Sequence, residues 1–358
     1  MRRTSTVLMI LLALSVFAPL SAAAASDKKE LKIGFVYISP VGSAGWSFSH
    51  DQARRKLAKD PGISTYTVEN VPDGPDSENI IRDMSRRGYD IIVATSFDHM
   101  DSTLKVAEEF PNITYLHCSG YKTAPNVSAF SGRIYQPRYL SGIVAGSMTK
   151  TNSIGFVAAH PIPEVIRGIN AFTLGVRAAN PKAEVRVLWT NTWYDPFVEQ
   201  AKAEELAANG VDVLAQHQDT TAVQEVAQQR RIWSVGYGSD MSVAAPDVHL
   251  VAPIWNWYPF YRDVVDQVRQ GTWRSGNFWF GMDTGIVALS DFGNMVPQEV
   301  RERVNAREGE IMAGQERIFQ GPILDQEGRE RVAAGHSLSD EELLSMDWFV
   351  QGVVGTIE

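Results

Sequence analysis

The sequence predicts an α/β protein with two doubly wound parallel-sheet lobes joined by hinge strands. Short apolar runs alternate with longer amphipathic stretches from Leu31 onward, which is typical of parallel sheets with right-handed crossovers. Most of the runs are continuously apolar, as expected for strands that are covered on both faces. The alternation falls into two sets, one before and one after about residue 133. Two lobes are therefore expected.

The individual elements follow from the same pattern. The predicted strands are residues 31–38, 65–71, 90–95 and 113–118 in the first set, and 153–159, 185–189, 211–216 and 232–236 in the second. The predicted helices are residues 52–59, 77–87, 103–110, 137–149, 164–179, 198–209 and 222–231. Several of these helices end on Gly or Asn, which favours a helix C-terminus.

The joint between the two sets is predicted at residues 132–137, where Pro137 can open the next helix. The tail from His249 onward adds strands and helices that are expected to cross back between the lobes. Lobe 1 is predicted to comprise residues 31–133 and about 255–285, and lobe 2 residues 134–254 and about 286–358.

The N-terminal residues have the order of a secretory signal peptide. Arg2 and Arg3 precede an apolar run of about 14 residues, which is shorter than the roughly 20 that a membrane-spanning helix needs. Small residues at 21–25 then predict cleavage after Ala25, so residues 1–25 are the predicted signal peptide. A lipid anchor would need a Cys at that point, and Cys118 is the only Cys in the sequence. The mature chain is therefore expected to be periplasmic and not inserted in a membrane.

Charge and motifs exclude several classes of function. The formal charge of −9 becomes −11 when the signal peptide and its two Arg residues are removed, which argues against a nucleic-acid partner. No Cys-x-x-Cys, His-Glu-x-x-His, Gly-x-Ser-x-Gly or phosphate-binding glycine motif is present. The seven His residues are scattered, so neither a metal nor a cofactor is expected. The chain is predicted not to be an enzyme; the alternative is an exported hydrolase with Asp98 and Asp240 as its carboxylate pair.

Aromatic residues fall where the predicted strands end, at positions that usually carry polar turn residues. Ligands of doubly wound sheets bind beyond the carboxyl ends of the strands, so these residues predict one aromatic cleft suited to a flat ligand. Polar residues on second-lobe loops are candidates for hydrogen bonds to that ligand, although Asp at such positions also commonly caps the next helix. The predicted ligand-binding residues are Trp46, Ser47, Phe48, Phe97, Trp193, His217, Asp219, Asp240, Trp255 and Asn256.

Several motifs are shared with a known family: Ser47-Phe48 after the first strand, Asn126-Val127, Tyr139-Leu140-Ser141-Gly142, Ile154-Gly155-Phe156-Val157, Phe172, Gly175 and Asp195-Pro196. Through them the chain, from about residue 31 to 260, resembles the basic membrane lipoprotein (BMP) family of periplasmic substrate-binding proteins. The best-understood members bind purine nucleosides for ABC importers. The resemblance implies a type I periplasmic binding protein fold, a membrane ABC permease as partner and a monomeric receptor. It also implies that Phe48 and Trp193 match the two base-stacking aromatics of the family.

The chain departs from the family pattern at the residues that bind the ribose of a nucleoside. Nucleoside-binding members hold the ribose with two Asp and one Lys, and the matching positions here are Ser119, Gly238 and Asn256. Unpaired ribose hydroxyls would cost roughly 1–3 kcal/mol each. A free purine base is therefore predicted, adenine before hypoxanthine, guanine or xanthine, with Asn256 pairing with a base edge. A purine nucleoside, or another flat heterocycle such as a pyrimidine or a thiamine precursor, stays an alternative ligand, and a sensor role stays an alternative to import.

Overall fold

The computed structural model describes residues 30–315 and 317–357. The predicted signal peptide lies outside the described residues. The strands of the described part are β1 (Leu31–Val36), β2 (Ile63–Val68), β3 (Ile91–Ala94), β4 (Thr114–Cys118), β5 (Val127–Gly132), β6 (Ser153–Ala158), β7 (Glu184–Trp189), β8 (Val213–His217), β9 (Trp233–Val235), β10 (His249–Val251), β11 (Pro253–Trp255), β12 (Asn277–Phe280), β13 (Val287–Leu289), β14 (Ile323–Leu324), β15 (Glu330–Val332) and β16 (Val353–Val354).

The helices of the described part lie between these strands. They are α1 (Trp46–Leu57), α2 (Pro75–Arg86), α3 (Met100–Glu109), α4 (Tyr135–Met148), α5 (Pro163–Ala179), α6 (Pro196–Ala208), α7 (Ala222–Arg230), α8 (Tyr258–Gln270), α9 (Gln298–Met312) and α10 (Asp340–Leu344), with short 3-10 turns at Phe97–His99 and Met282–Thr284.

Two six-stranded sheets carry the architecture. The first sheet has the order β12-β5-β4-β3-β1-β2, and the second has the order β10-β9-β8-β6-β7-β16. Neighbouring strands are parallel throughout both sheets. Every residue of β3, β4 and β8 is buried, as expected for strands covered by helices on both faces. The predicted α/β class with two parallel sheets is confirmed. We call the part around the first sheet lobe 1 and the part around the second lobe 2.

The chain passes between the two sheets three times within the described residues, after β5, after β10 and after β12. The second and third passages contain β11 and β13, which pair antiparallel with Trp255 opposite Val287. Hinge strands were expected, and β11 and β13 are such connecting strands. The residue bounds of the lobes stay a prediction.

Lobe 2 contains a close helix pair that accounts for some of the shared motifs. A Cβ at Gly142 of α4 would overlap the backbone carbonyl of Phe172, and one at Gly175 of α5 would overlap that of Tyr139. Only glycine permits this backbone approach. These motif residues therefore serve helix packing and not ligand contact.

Two element predictions differ from the structure. Helix α1 begins at Trp46, six residues before the predicted start at residue 52, so Trp46 and Phe48 lie in a helix and not in a loop. Strand β5 was not predicted, because its sequence Val-Ser-Ala-Phe-Ser-Gly is interrupted by small polar residues. It is nevertheless an internal strand, paired with β4 on one side and β12 on the other. Tertiary pairing overrides the local composition here.

Candidate functional site

A cavity of about 470 Å³ lies between the lobes, at the carboxyl ends of the parallel strands. This is where doubly wound sheets place their ligands. Its lining residues follow the strands of both sheets: Ile38, Trp46, Thr95, Ser96, Phe97 and Ser119 from lobe 1, and Ile162, Glu164, Trp193, His217, Gln218, Asp219 and Tyr237 from lobe 2.

The lobe 1 wall is held by a cluster of tryptophans. The indole N–H of Trp46 donates to the carbonyl oxygen of Thr95 at 2.8 Å. Its ring meets the Trp255 ring edge-on, with centroids 5.3 Å apart. Trp255 in turn stacks on the buried Trp257 at 4.6 Å and 13°. The orientation of Trp46 is therefore fixed by one hydrogen bond and by a stacked pair behind it.

The lobe 2 wall carries three rings. His217 and Tyr237 lie with their ring centroids 4.1 Å apart, and Trp193 lies 6.4 Å from His217. The indole N–H of Trp193 donates to the Asp98 carboxylate at 2.7 Å. Since Asp98 follows β3 of lobe 1, this hydrogen bond joins the two lobes across the mouth of the cavity.

Asp219 provides a second and stronger contact between the lobes. Its buried carboxylate accepts hydrogen bonds from the backbone N–H of Trp46, from the backbone N–H and hydroxyl of Ser47, and from the hydroxyl of Ser39. Helix α1 has no side-chain cap within its own segment. Asp219 of lobe 2 therefore caps a helix of lobe 1, where the helix dipole favours a negative group.

The backbone at this contact requires glycine. Gly45 has φ 93°, its N–H donates to the Ser239 hydroxyl at 2.9 Å, and a Cβ there would overlap Asp219. Gly238, with φ 79°, approaches Gly45 so closely that a Cβ would lie 2.9 Å from its carbonyl carbon. Side chains at either position would hold the lobes apart.

Glu164 lines the cavity from the first turn of α5. Ser119 lines the cavity from lobe 1, and its hydroxyl lowers the pKa of the Glu164 carboxyl. Burial raises the pKa of the Glu164 carboxyl above its usual value, against the opposing effect of the guanidinium groups of Arg167 and Arg138. Both arginines lie fully behind the lining. Burial lowers their pKa values to about 10, so both are cations at neutral pH.

His217 and Gln218 supply further polar atoms. Burial, together with the Arg138 charge, lowers the pKa of His217 well below its usual value, so the ring is neutral at neutral pH. Its Nδ1 has no hydrogen-bond partner among the described residues, and neither does Oε1 of Gln218. Buried polar atoms without partners are uncommon, and both of these belong to residues that line the cavity.

Of the ten predicted site residues, half line the cavity: Trp46, Phe97, Trp193, His217 and Asp219. Ser47 lies beneath it and donates to Asp219. Phe48, Asp240, Trp255 and Asn256 are not among the lining residues. Phe48 follows Trp46 by two positions on α1, which rotates it by about 200° around the helix axis, and it packs on the core instead.

The other three predicted residues that do not line the cavity make contacts elsewhere. Asp240 is exposed and accepts from the backbone N–H of Ser242. Trp255 supports Trp46 from behind. Asn256 is exposed and donates to the carbonyl of Gly285 at 3.2 Å. Its amide is thus not directed at a base edge as predicted, because β11 pairs with β13 and turns the following residue outward.

The positions matched to the ribose-binding charges of the family also separate. Ser119 lines the cavity, Gly238 contacts Gly45, and Asn256 is exposed. The nominated hydrolase pair does not meet in the cavity either, because Asp98 accepts from Trp193 and Asp240 is outside the lining. No His, Cys, Asp or Glu group suited to a metal ion occurs among the described residues.

Sequence reasoning missed several lining residues. Glu164 begins the predicted helix 164–179, a position that acids favour for the helix dipole alone, so nothing in the sequence marked it as a site residue. Tyr237 and Gln218 follow strands β9 and β8. The expectation that ligand-binding residues lie just after strands therefore applied to them as much as to the aromatic residues. A search of every residue that follows a predicted strand would have found both.

The fold and the cavity define the class: a two-lobed receptor that encloses a small molecule between parallel sheets. The family model described as "ABC transporter substrate-binding protein PnrA-like" matches residues 30–318, and the chain belongs to this family. The predicted resemblance is therefore confirmed. Members are substrate-binding proteins of ABC transporters and not enzymes, so a small-molecule ligand and a membrane permease are its partners.

Two curated relatives are similar over most of the chain. A purine-binding protein of Brucella abortus is 42% identical over 332 residues, 92% of this chain and 95% of the relative. A putative ABC transporter glucose-binding protein of Haloferax volcanii is 37% identical over 335 residues, 93% of this chain and 82% of the relative.

The fold has solved counterparts. The crystal structure of an ABC transporter solute-binding protein from Aeropyrum pernix superposes with a TM-score of 0.71 at 18% identity, covering 88% of this chain and 98% of that one. The type I periplasmic binding protein fold is thereby confirmed. The family works outside the cytoplasmic membrane, and none of the helices described for this chain is long and apolar enough to cross one.

Proposed function

We propose that this protein binds a free purine base, adenine before hypoxanthine, guanine or xanthine, and presents it to an ABC permease. The observation that carries the proposal is the cavity wall: Trp46 and Phe97 on one lobe oppose Trp193 and His217 on the other. Rings on both sides suit a flat aromatic ligand, and each stacking contact adds about 0.5–1.5 kcal/mol beyond burial.

The charges of the lining support a ligand without phosphate or carboxylate groups. Its acidic residues are Glu164 and Asp219, and no Lys or Arg is among the lining residues. An anion would meet these carboxyl groups without a cation in the lining to pair with. A neutral base with N–H donors avoids this conflict. A purine-binding relative at 42% identity agrees with this choice.

The absence of ribose-binding charges supports a base over a nucleoside. Of the three matched positions only Ser119 lines the cavity, and it brings one neutral hydroxyl where the nucleoside-binding members have a carboxylate. A bound ribose would therefore leave most of its hydroxyls without partners, at roughly 1–3 kcal/mol each.

Isothermal titration of unfolded and refolded protein, which removes any retained ligand, tests the proposal. The panel comprises adenine, hypoxanthine, guanine, adenosine, guanosine, thymine and glucose. Adenine should bind most tightly, and adenosine at least about tenfold more weakly because of the unpaired hydroxyls. Tighter binding of adenosine would replace the base by a nucleoside. Tighter binding of glucose would assign the protein to the role named for its Haloferax relative.

We further propose that the chain is exported with cleavage after Ala25 and acts in the periplasm as a monomer. Mass spectrometry of the protein from the periplasmic fraction should give the mass of residues 26–358, and light scattering should give one copy. A retained N-terminus would argue for a membrane anchor instead.

A further inference from the structure

Gln218 follows β8 and lines the cavity from lobe 2. Its exposed fraction is 2%, and its amide oxygen Oε1 has no hydrogen-bond partner among the described residues. A buried acceptor without a partner is uncommon in folded proteins and unfavourable. We propose that Gln218 is the specificity-determining residue of the cavity and that Oε1 accepts a hydrogen bond from the exocyclic amino group of adenine. This inference rests on the proposed function.

The orientation of the Gln218 amide is set by Thr190, which follows β7. The amide nitrogen Nε2 donates to the Thr190 hydroxyl oxygen at 2.7 Å. That hydroxyl has a single proton, and two backbone carbonyl oxygens lie near it, Thr192 at 3.0 Å and Ala158 at 3.3 Å. Carbonyl oxygens only accept hydrogen bonds, so the hydroxyl donates to one of them and accepts from Gln218. The amide nitrogen is thereby directed to Thr190, and Oε1 is the atom left for a ligand.

The two loops that carry Gln218 and Thr190 are bound together within lobe 2. The backbone N–H of Asp219 donates to the Trp193 carbonyl at 3.3 Å, and the backbone N–H of Thr190 donates to the carbonyl of Ala158 in β6 at 2.8 Å. Because both loops are joined to the same sheet, opening and closing of the lobes leaves the amide in the same orientation. The acceptor is therefore preorganised for its ligand.

The other hydrogen-bonding groups of the lining favour an amino group over a carbonyl group. No Lys or Arg is among the lining residues. The indole N–H of Trp46 is donated to the Thr95 carbonyl, and that of Trp193 to the Asp98 carboxylate. Adenine has an amino group where hypoxanthine, guanine and xanthine have a carbonyl oxygen. A carbonyl oxygen against Oε1 would place two acceptors together and leave both unpaired, so Gln218 distinguishes adenine from these bases.

The test is calorimetric binding of adenine, hypoxanthine and unsubstituted purine to the refolded protein. Purine lacks the amino group but keeps the imidazole N–H, so the ratio of adenine to purine affinity isolates the amino group. Wild type should prefer adenine to either competitor by about 5- to 100-fold, because each competitor leaves the buried Oε1 unpaired. Gln218→Met has a side chain of similar length without the amide, and it should bring both ratios to within about threefold of one.

Thr190→Val tests the orientation of the amide. It removes the hydroxyl that accepts from Nε2, so the amide can reverse and donate to the carbonyl oxygen of hypoxanthine. The ratio of adenine to hypoxanthine affinity should fall by at least about fivefold. A merely structural role of Thr190 would weaken both ligands alike and leave the ratio unchanged.

Gln228 provides the matched control. It is outside the lining, and both ends of its amide are paired with Asp247: Nε2 donates to the carboxylate at 2.7 Å, and Oε1 accepts from the backbone N–H at 3.1 Å. Gln228→Met should keep the wild-type ratios. Circular dichroism establishes that each variant is folded, and Thr190→Val retains the test if Gln218→Met is not.

The outcomes separate this inference from the proposed function. If no purine base binds, the proposed function fails. If adenine binds but Gln218→Met and Thr190→Val both keep the wild-type ratios, the role of Gln218 fails and the proposed function stands. Equal wild-type affinity for adenine and purine would overturn the contact with the amino group. A wild-type preference for hypoxanthine that disappears in Gln218→Met would overturn the orientation of the amide.

Discussion

The carboxyl group of Asp219 makes lobe closure depend on pH. The hydrogen-bond donors to this carboxyl group belong to Ser39, Trp46 and Ser47, all in lobe 1. Opening of the lobes therefore returns the carboxyl group to water. In the closed structure, burial raises the pKa of Asp219 from 3.8 to about 7, more than its hydrogen bonds lower it. A raised pKa means that the closed form binds a proton more tightly than the open form. Closure is then favoured in mild acid and weakened as pH rises toward and through about 7.

The magnitude follows from the two pKa values. At about pH 5.5 the open form is ionised and the closed form protonated, so closing takes up about one proton; at about pH 8 it takes up almost none. This proton uptake on closing makes ligand binding about 30-fold tighter at pH 5.5 than at pH 8. Asp219→Asn keeps an acceptor for the N–H groups of α1 but cannot titrate, so its affinity should change little between these values.

Calorimetry in two buffers of different ionisation enthalpy measures both the affinity and the proton uptake. Asp291→Asn is the matched control, because Asp291 is an exposed carboxyl group outside the cavity, and it should keep the wild-type profile. An identical pH profile in wild type and Asp219→Asn, or tighter wild-type binding at pH 8, would refute the reasoning.

Three further variants test other contacts of the cavity. Trp193→Phe keeps the ring but removes the hydrogen bond to Asp98, so ligand binding should weaken by about 2- to 10-fold in calorimetry; no change would show that this bond adds nothing to closure. Gly45→Ala should weaken ligand binding by about 5- to 100-fold, because its Cβ overlaps lobe 2. Gly42→Ala is its control, since Gly42 also has a positive φ but no atom lies within 4 Å of the added Cβ; equal losses in both would reduce the effect to backbone strain. Trp257→Ala removes a side chain that is fully buried and should lower the free energy of unfolding by about 3–5 kcal/mol in urea denaturation, whereas a loss under about 1 kcal/mol would mean that the cluster repacks.

The expectation that ligand-binding residues follow strand ends placed part of the predicted set at the cavity, because it depends on topology. Trp46, Phe97 and Trp193 each follow a strand of a parallel sheet, and sheets of this kind gather such residues at one edge. All three line the cavity. That expectation fixes where a residue lies along a strand but not which way its side chain points. Phe48 illustrates this limit, since the earlier start of α1 turns it toward the core.

The sequence by itself determined the α/β class, the two-lobe organisation and the general position of the cleft. These depend on local hydrophobic patterns, which act between neighbouring residues and can be recognised without knowing what packs against them. Helix caps usually come from the same segment as well, but α1 has no local side-chain cap. Its start could not be predicted, because its cap, Asp219, is 172 residues away from Ser47 along the chain.

Only the tertiary structure decided the chemistry of the cavity. It placed Glu164 and Ser119, which come from different lobes, in the lining of one cavity. It also engaged the Asp219 carboxylate in lobe closure. The physical reason is that a buried carboxyl group takes its charge state and its partners from whatever surrounds it in three dimensions, and those neighbours come from distant parts of the sequence.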